Sequence, residues 1–325
     1  MHIVTSQKLI DKYGPSVIDI VKQLSPNVDV LPTNDYASVK AHCDTINDSI
    51  LLFGGNDIIP HQIVLCPSAG PDTSIATDNG YACTQDLSGL VPDKIVTRLP
   101  DEQINGKIDF IQSMVNTQVQ LMQNTIPNNG FFNIVASVWN GISTYVNTTF
   151  NMNNENISPP ITSATLSNTE YANKKYAFIN LHGAMFNPGN FYGQFMSSYP
   201  IAIQPTPGMF NGTLVFSEAC YGAYLEGRDR TTSIALANLC TGCVGFVGSS
   251  RVAYGSSNAP GACADILGIK FLTRILNHES IGSAFLNAKK DYIADTIRTQ
   301  GMLDPEAKTT ILEFLCYGLP DLIIK

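Results

Sequence analysis

Tyr176-Ala177-Phe178-Ile179-Asn180-Leu181 runs apolar into His182-Gly183, and Thr213-Leu214-Val215-Phe216-Ser217-Glu218-Ala219 runs apolar into Cys220, with Gly222 just beyond. Short runs of this kind, rich in β-branched and aromatic residues, read as buried strands of a parallel sheet. Open parallel sheets gather ligands and reacting groups at the carboxyl ends of their strands. A His and a Cys so placed, about 38 residues apart, leave room for one crossover between neighbouring strands. The pair suits a nucleophile and its proton carrier, because the thiolate attacks and an imidazole can lower its pKa or take its proton. Either residue alone has an ordinary reading, as a small core hydrophobe or a hydrogen-bonded loop histidine. Both at strand exits beside glycine point to catalysis.

Outward from these runs, apolar segments at Ile3-Val4, Val28 to Leu31, Ile50 to Phe53 and Ile95-Val96 read as strands. Val17, Ile18, Ile20, Val21 and Leu24 have helical spacing, and a helix is expected from Asp101 to Gln123, with its acidic first turn complementing the helix dipole. Asn124 to Gly130 breaks the pattern, and Phe131 to Ala136 opens a second unit. Asn147 to Pro160, rich in Asn and ending in two prolines, is expected to be a mobile surface loop. Strands at 176–181, 213–217 and 244–248, a helix near 230–239 and a final strand Leu322-Ile323-Ile324 complete the reading. Alternating strands and helices imply an α/β fold. The expected architecture is a three-layer α/β sandwich with mostly parallel sheets in two side-by-side subdomains, 1–128 and 129–325, the second catalytic.

Composition narrows the function. A net charge of −8 across 325 residues offers no basic stripe for phosphates and argues against nucleic-acid binding. No run approaches the roughly 20 apolar residues that span a bilayer. The start, Met1 to Lys8, lacks the basic-then-apolar pattern of a leader, so the chain as given reads as cytoplasmic, or as secreted if a leader was removed. Cys240-Thr241-Gly242-Cys243 has metal-ligand spacing but no second pair to complete a zinc site, so it is expected in the core.

The order of His-Gly after one strand and Ala-Cys after a later one resembles the caspase-like superfamily of cysteine peptidases, and further segments are similar to its gingipain branch. Ile50 to Pro60, with Gly54-Gly55-Asn56-Asp57, resembles that family's apolar strand, glycine, acidic residue and proline. Thr77-Asp78-Asn79-Gly80-Tyr81 is similar to its Ser-Asp-x-x-Tyr segment, and Asp93 to Pro100 to its strand ending in an arginine, here Arg98. Cys316-Tyr317-Gly318-Leu319-Pro320-Asp321-Leu322 echoes its Phe-Gly-Asp-Pro-Ser-Leu ending, with Leu319 in place of the aspartate.

The expected site follows. Cys220 is the nucleophile, His182 the proton carrier, and the backbone N–H groups of Gly183 and Cys220 the oxyanion hole. The family's His-orienting glutamate falls at Trp139 on alignment by the strand Ile134 to Ser137, so Trp139 either covers the imidazole or simply packs. Glu218, two residues before the nucleophile, is expected to be held in a loop hydrogen bond, since a carboxylate beside a thiol raises its pKa. The resemblance places a wall of the specificity pocket at Gly248 to Gly255. Ser250 and Arg251 belong to that segment, and Tyr254 matches a family tryptophan that could stack on the stem of a basic side chain. The family's acidic pocket residue has no clear counterpart, and Glu226 and Asp229 are the substitutes. Family precedent favours cleavage after Arg or Lys, whereas Arg251 leaves acidic specificity open. Protein or peptide is the expected substrate. No cofactor is required, no metal ligand is assigned, and a structural calcium ion and the oligomeric state stay open. A non-catalytic scaffold of the same fold is the alternative function.

Overall fold

The apolar runs become strands of one sheet. The computed structural model describes residues 1–86, 88–152 and 155–325. In chain order the first strands are β1 (His2–Ser6), β2 (Val28–Leu31), β3 (Ile50–Phe53), β4 (Gln62–Leu65), β5 (Ser74–Thr77), β6 (Val96–Leu99) and β7 (Phe131–Ala136). They are followed by β8 (Asn156–Ser158), β9 (Tyr176–Asn180), β10 (Phe191–Tyr192), β11 (Ile201–Ile203), β12 (Leu214–Ser217), β13 (Gly245–Ser249) and β14 (Phe314–Gly318). The helices are α1 (Gln7–Tyr13), α2 (Val17–Val21), α3 (Tyr36–Thr45), α4 (Asn79–Ala82), α5 (Ile108–Gln123) and α6 (Asn140–Thr149). Then come α7 (Asn168–Tyr171), α8 (Ile234–Leu239), α9 (Ala264–Leu276), α10 (Ile281–Gln300) and α11 (Pro305–Glu313).

Among the described residues, ten strands form one sheet in the order β2-β1-β3-β6-β14-β13-β12-β9-β7-β8, and two small antiparallel pairs, β4-β5 and β10-β11, stand beside it. The pairings β1-β2, β1-β3, β3-β6, β7-β8, β7-β9, β9-β12 and β12-β13 are parallel, and β14 runs antiparallel to β13. This is the three-layer α/β sandwich that the strand–helix alternation implies. Phe178, Phe216 and Phe314 from three strands line up on one face, stacked at 5.8 and 5.3 Å, and Phe271 of α9 closes over Phe216 at 6.0 Å. Cys240 and Cys243 are buried in the same continuous core. No helix among the described residues is long and apolar enough to cross a membrane.

Three local expectations need correction. The helix expected from Asp101 begins only at Ile108, because the acidic residues before it serve tertiary contacts. Asp101 accepts from Lys12, Tyr13 and the N–H of Gly55, while Glu102 accepts from Arg230. The stretch from Asn147 to Pro160 is not a single loop, since α6 continues to Thr149 and β8 adds a strand beside β7. Asn153 and Asn154 lie outside the described residues. Leu322 to Ile324 forms no strand. The antiparallel place beside β13 is taken by β14, and the tail packs Leu322 and Ile324 into the core.

A buried ion pair locks the first half. Arg98, on β6, gives Nε and Nη2 to the two oxygens of Asp78 at 2.8 and 2.5 Å, and Nη1 to the carbonyls of Gly54 and Ile59, both at 2.7 Å. His61 adds a contact from Nδ1 to Asp78 at 2.8 Å. The guanidinium beside it holds the Asp78 carboxyl well below the usual range. The segments around Ile50–Pro60, Asp78 and Arg98, separate in sequence, are therefore one unit. Removing one partner of such a pair strands the other charge in the core. Asp78→Asn should cost about 3–5 kcal/mol of stability, read from the shift of the urea unfolding midpoint. A change under about 0.5 kcal/mol would mean that water reaches the pair.

Candidate active site

The register of β9 and β12 positions the site. Ile179 pairs with Ser217, so both chains leave the sheet at the same level, β9 into His182-Gly183 and β12 into Ala219-Cys220. Glu218 continues the ladder by donating its N–H to the Ile179 carbonyl at 2.8 Å. The two exits touch at Gly183, where a Cβ would stand 1.8 Å from the Cys220 carbonyl oxygen and 2.9 Å from its nitrogen. Any side chain there would push the exits apart. Immediately after Cys220 the chain turns through Tyr221 in the left-handed region, φ 58°. That conformation costs a non-glycine residue about 1–2 kcal/mol. It is held by the Tyr221 N–H on the Arg251 carbonyl and by the Tyr221 hydroxyl on Asp72.

Cys220 is partly exposed, and its Sγ lies 3.8 Å from the Ala253 carbonyl and within reach of the Gly183 and Cys220 N–H groups. Burial, aided by the negative field of Glu313, pushes the thiol up to about 11 against those hydrogen bonds. His182 sits where its backbone exchanges hydrogen bonds with Tyr192 of β10. Its Nε2 is 2.7 Å from Gln194 Oε1. The Gln194 amide nitrogen donates to the Met196 carbonyl, so its oxygen must face the ring. The imidazole therefore carries its proton on Nε2 and leaves Nδ1 as the basic nitrogen. Burial lowers the His182 pKa, partly offset by Gln194. Trp139, on the turn after β7, lies against the imidazole with ring centres 4.2 Å apart, and Tyr199 meets it edge-on at 5.3 Å. At rest the two groups are thus a neutral thiol and a neutral imidazole.

A narrow pocket of about 40 Å³ opens beside the sulfur. It is lined by Trp139, Asn180, Glu218, Ala253, Tyr254 and Gly255 among others. Glu218 is not in a loop hydrogen bond. Its carboxyl contacts that of Asp265 on α9, and burial together with the Asp265 charge pushes its pKa well above the ordinary value. The other sequence-derived candidates lie elsewhere. Arg251 donates from Nε to the Ser74 carbonyl and from Nη1 to that of Ser250, with its guanidinium over Tyr224. Ser250 is buried and donates to the Ala76 carbonyl. Asp229 closes its own turn on Thr231 and Thr232, and exposed Glu226 contacts Asn56 and Tyr224. The β4–β5 hairpin also reaches the site. Asp72 holds Tyr221 and the Val252 N–H, and Ser68 holds the Tyr254 hydroxyl.

Gln194 and Asp265 went unread in the sequence. Gln194 follows a two-residue strand that only pairing with β11 creates, and Asp265 looks like an ordinary first-turn acid of α9. Ligand atoms suited to a transition metal come together away from this site, where the Nε2 atoms of His2 and His42 stand 2.6 and 2.7 Å from Asp29 Oδ2 on the β2 edge of the sheet. A cavity of about 580 Å³ lies elsewhere, lined by Met1, Asn27, Ile126, Leu319, Asp321 and Leu322 among others, where parallel strands begin rather than end.

Comparison with solved structures places this architecture. The chain is similar to the complex of Porphyromonas gingivalis RgpB pro- and mature domains, at 14% identity and a TM-score of 0.66, over all of this chain and 79% of that one. It is also similar to a structure described only as a protease, at 13% identity and a TM-score of 0.64, over 99% of this chain and 78% of that one. The fold is caspase-like, of the gingipain type. No family model and no curated protein matches the sequence.

With the thiol near 11, alkylation of Cys220 by iodoacetamide in the free protein should rise about tenfold per pH unit from pH 7 to 10 and level off near 11. Mass spectrometry of the labelled peptide follows it. A rate already on its plateau at pH 7 would instead indicate a thiolate–imidazolium pair at rest.

Proposed function

We propose that the protein is a cysteine endopeptidase in which Cys220 attacks the scissile carbonyl and His182 carries the proton. The observation that carries this reading is the contact of the two strand exits at Gly183, which sets the sulfur, the imidazole-bearing residue and two backbone N–H groups around one spot. The caspase-like fold supports it. The thiol gives its proton to Nδ1 of His182 as sulfur bonds to the carbonyl carbon, and the N–H groups of Gly183 and Cys220 receive the developing oxyanion. The imidazolium then protonates the leaving amine, and water hydrolyses the acyl-enzyme. A neutral thiol at rest makes proton transfer part of the attack rather than a prior event.

Gln194 is the positioning residue in this scheme. It fixes the tautomer as an acidic partner would, but adds no charge, and Trp139 keeps water from one face of the ring. A peptide lying across the His182 side would meet exposed Met185, Phe186, Phe195 and Met196, an apolar rim suited to an extended chain. The substrate side chain before the cut is taken to be Arg or Lys, since Tyr254 flanks the pocket and none of its lining residues is cationic.

Hydrolysis of a fluorogenic peptide library tests the assignment. Cys220→Ala should abolish it while leaving the unfolding midpoint unchanged, and His182→Ala should lower kcat/KM by about 10²–10⁴-fold. Native rates in Cys220→Ala would sink the proposal, and an inactive wild-type protein would favour a scaffold of the same fold. In Gln194→Glu the added carboxylate should raise the His182 pKa, moving the acid limb of the kcat/KM profile to higher pH. An unmoved limb would remove Gln194 from the positioning role.

A further inference from the structure

Two imidazoles and one carboxylate converge at the outer edge of the sheet, with β3, β6, β14 and β13 standing between β1 and the strand that delivers Cys220. We propose that His2, Asp29 and His42 bind a first-row divalent transition metal such as Zn²⁺, and that the ion clips β2 and α3 to β1. The site stands apart from Cys220 and does not depend on the peptidase reading.

Strand register brings the ligands together. Val4 of β1 pairs with Asp29 of β2, and residues two apart on a strand share a face, so His2, Val4 and Asp29 point the same way. The last turn of α3 brings His42 over that face. The Nε2 atoms of His2 and His42 lie 2.6 and 2.7 Å from one oxygen, Asp29 Oδ2, and the three ligand atoms fall within 4.8 Å of one another. Among the described residues no lysine or arginine pairs with Asp29, whose ion-pair partners are the two imidazoles. The side chains of His2, Asp29 and His42 are 24, 37 and 31% exposed, so an ion can reach them from solvent.

The donor set selects the ion. Imidazole nitrogen suits zinc and its first-row neighbours, whereas Ca²⁺ and Mg²⁺ are held by oxygen ligands, of which one carboxylate supplies too few. Tetrahedral zinc, with bonds of about 2.0–2.2 Å, sets neighbouring ligand atoms about 3.3 Å apart. Seating it would open the present contacts by about 0.6 Å, a small rotation for side chains that are partly exposed. Each Nε2 gives up the proton it shares with Oδ2 and turns its lone pair to the ion. Water completes the fourth position, as in zinc sites with three protein ligands. An edge strand is hydrogen-bonded on one side only, so the clip holds β2 where the sheet holds it least.

Calorimetric titration with zinc chloride tests this on metal-stripped Cys220→Ala protein carrying no histidine tag, the substitution preventing capture of the ion at Cys220 and His182. A single equivalent of Zn²⁺ should bind and raise the Tm, while Ca²⁺ and Mg²⁺ should do neither. Asp29→Asn and His42→Ala should each weaken Zn²⁺ binding at least about 100-fold, more than the loss of an outer-shell partner costs. Co²⁺ in the same protein should give the visible bands of a nitrogen–oxygen site with no sulfur-to-cobalt charge transfer. The absence of saturable Zn²⁺ uptake would reduce the cluster to an ion-paired triad and overturn the inference. Uptake that survives both substitutions, or a sulfur charge-transfer band, would assign the ion to cysteines and overturn it equally. Should the variants not fold, diethylpyrocarbonate labelling of the unaltered protein, mapped by mass spectrometry, replaces them. Zn²⁺ should then shield both His2 and His42, and equal labelling with and without the ion overturns the inference.

Discussion

The close approach of Gly183 to Cys220 is the constraint on which the site depends. Two parallel strands in fixed register leave the sheet together, and their first free residues pack backbone to backbone because one of them has no Cβ. A parallel ladder makes this possible, since its strands deliver their carboxyl ends to one edge. A one-residue slip of β12 would turn its buried side chains to the opposite face, so core packing and site geometry are fixed by the same register. The left-handed turn at Tyr221 is a local cost of holding the chain there, offset by hydrogen bonds to Asp72 and the Arg251 backbone.

Two buried acid clusters in the molecule show opposite solutions to one problem. Asp78 is ionised because a fully buried guanidinium meets both of its oxygens and further carbonyls satisfy the rest of the fork. That pair is complete and structural, and it ties three separated segments into one unit. Glu218 and Asp265 have each other but no cation, and one oxygen is left without a partner. An incomplete cluster deep in a fold costs stability. A buried base, Lys289, stands apart from both: burial brings its pKa down to about 7, and it donates hydrogen bonds to the Asn79 side-chain oxygen and the Phe314 carbonyl.

Periodicity carried most of the architecture. The strands ending at Asn180 and Ser217 were legible because continuous apolar runs bounded by glycine have few other uses. The errors fell where tertiary contacts reassigned residues with ambiguous local signals. Asp101 and Glu102 look like a helix start, yet Lys12, Tyr13 and Arg230 claim their carboxylates and delay the helix to Ile108. Arg251 stood in the segment expected to wall the pocket, but its donors reach the backbone of Ser74 and Ser250. Chain proximity to a nucleophile does not say which way a long side chain points.

The sequence by itself determined the sheet-forming runs and the strand exits at His182 and Cys220, because each is a local consequence of side-chain size and period. Only the tertiary structure decided which partners those exits meet. Gln194 reaches the imidazole from a hairpin, Trp139 covers it from the turn after a neighbouring strand, and Asp265 meets Glu218 from a helix far along the chain. These contacts join residues from a dozen to several tens of positions apart through strand order and helix packing, and no local pattern encodes a distance of that kind.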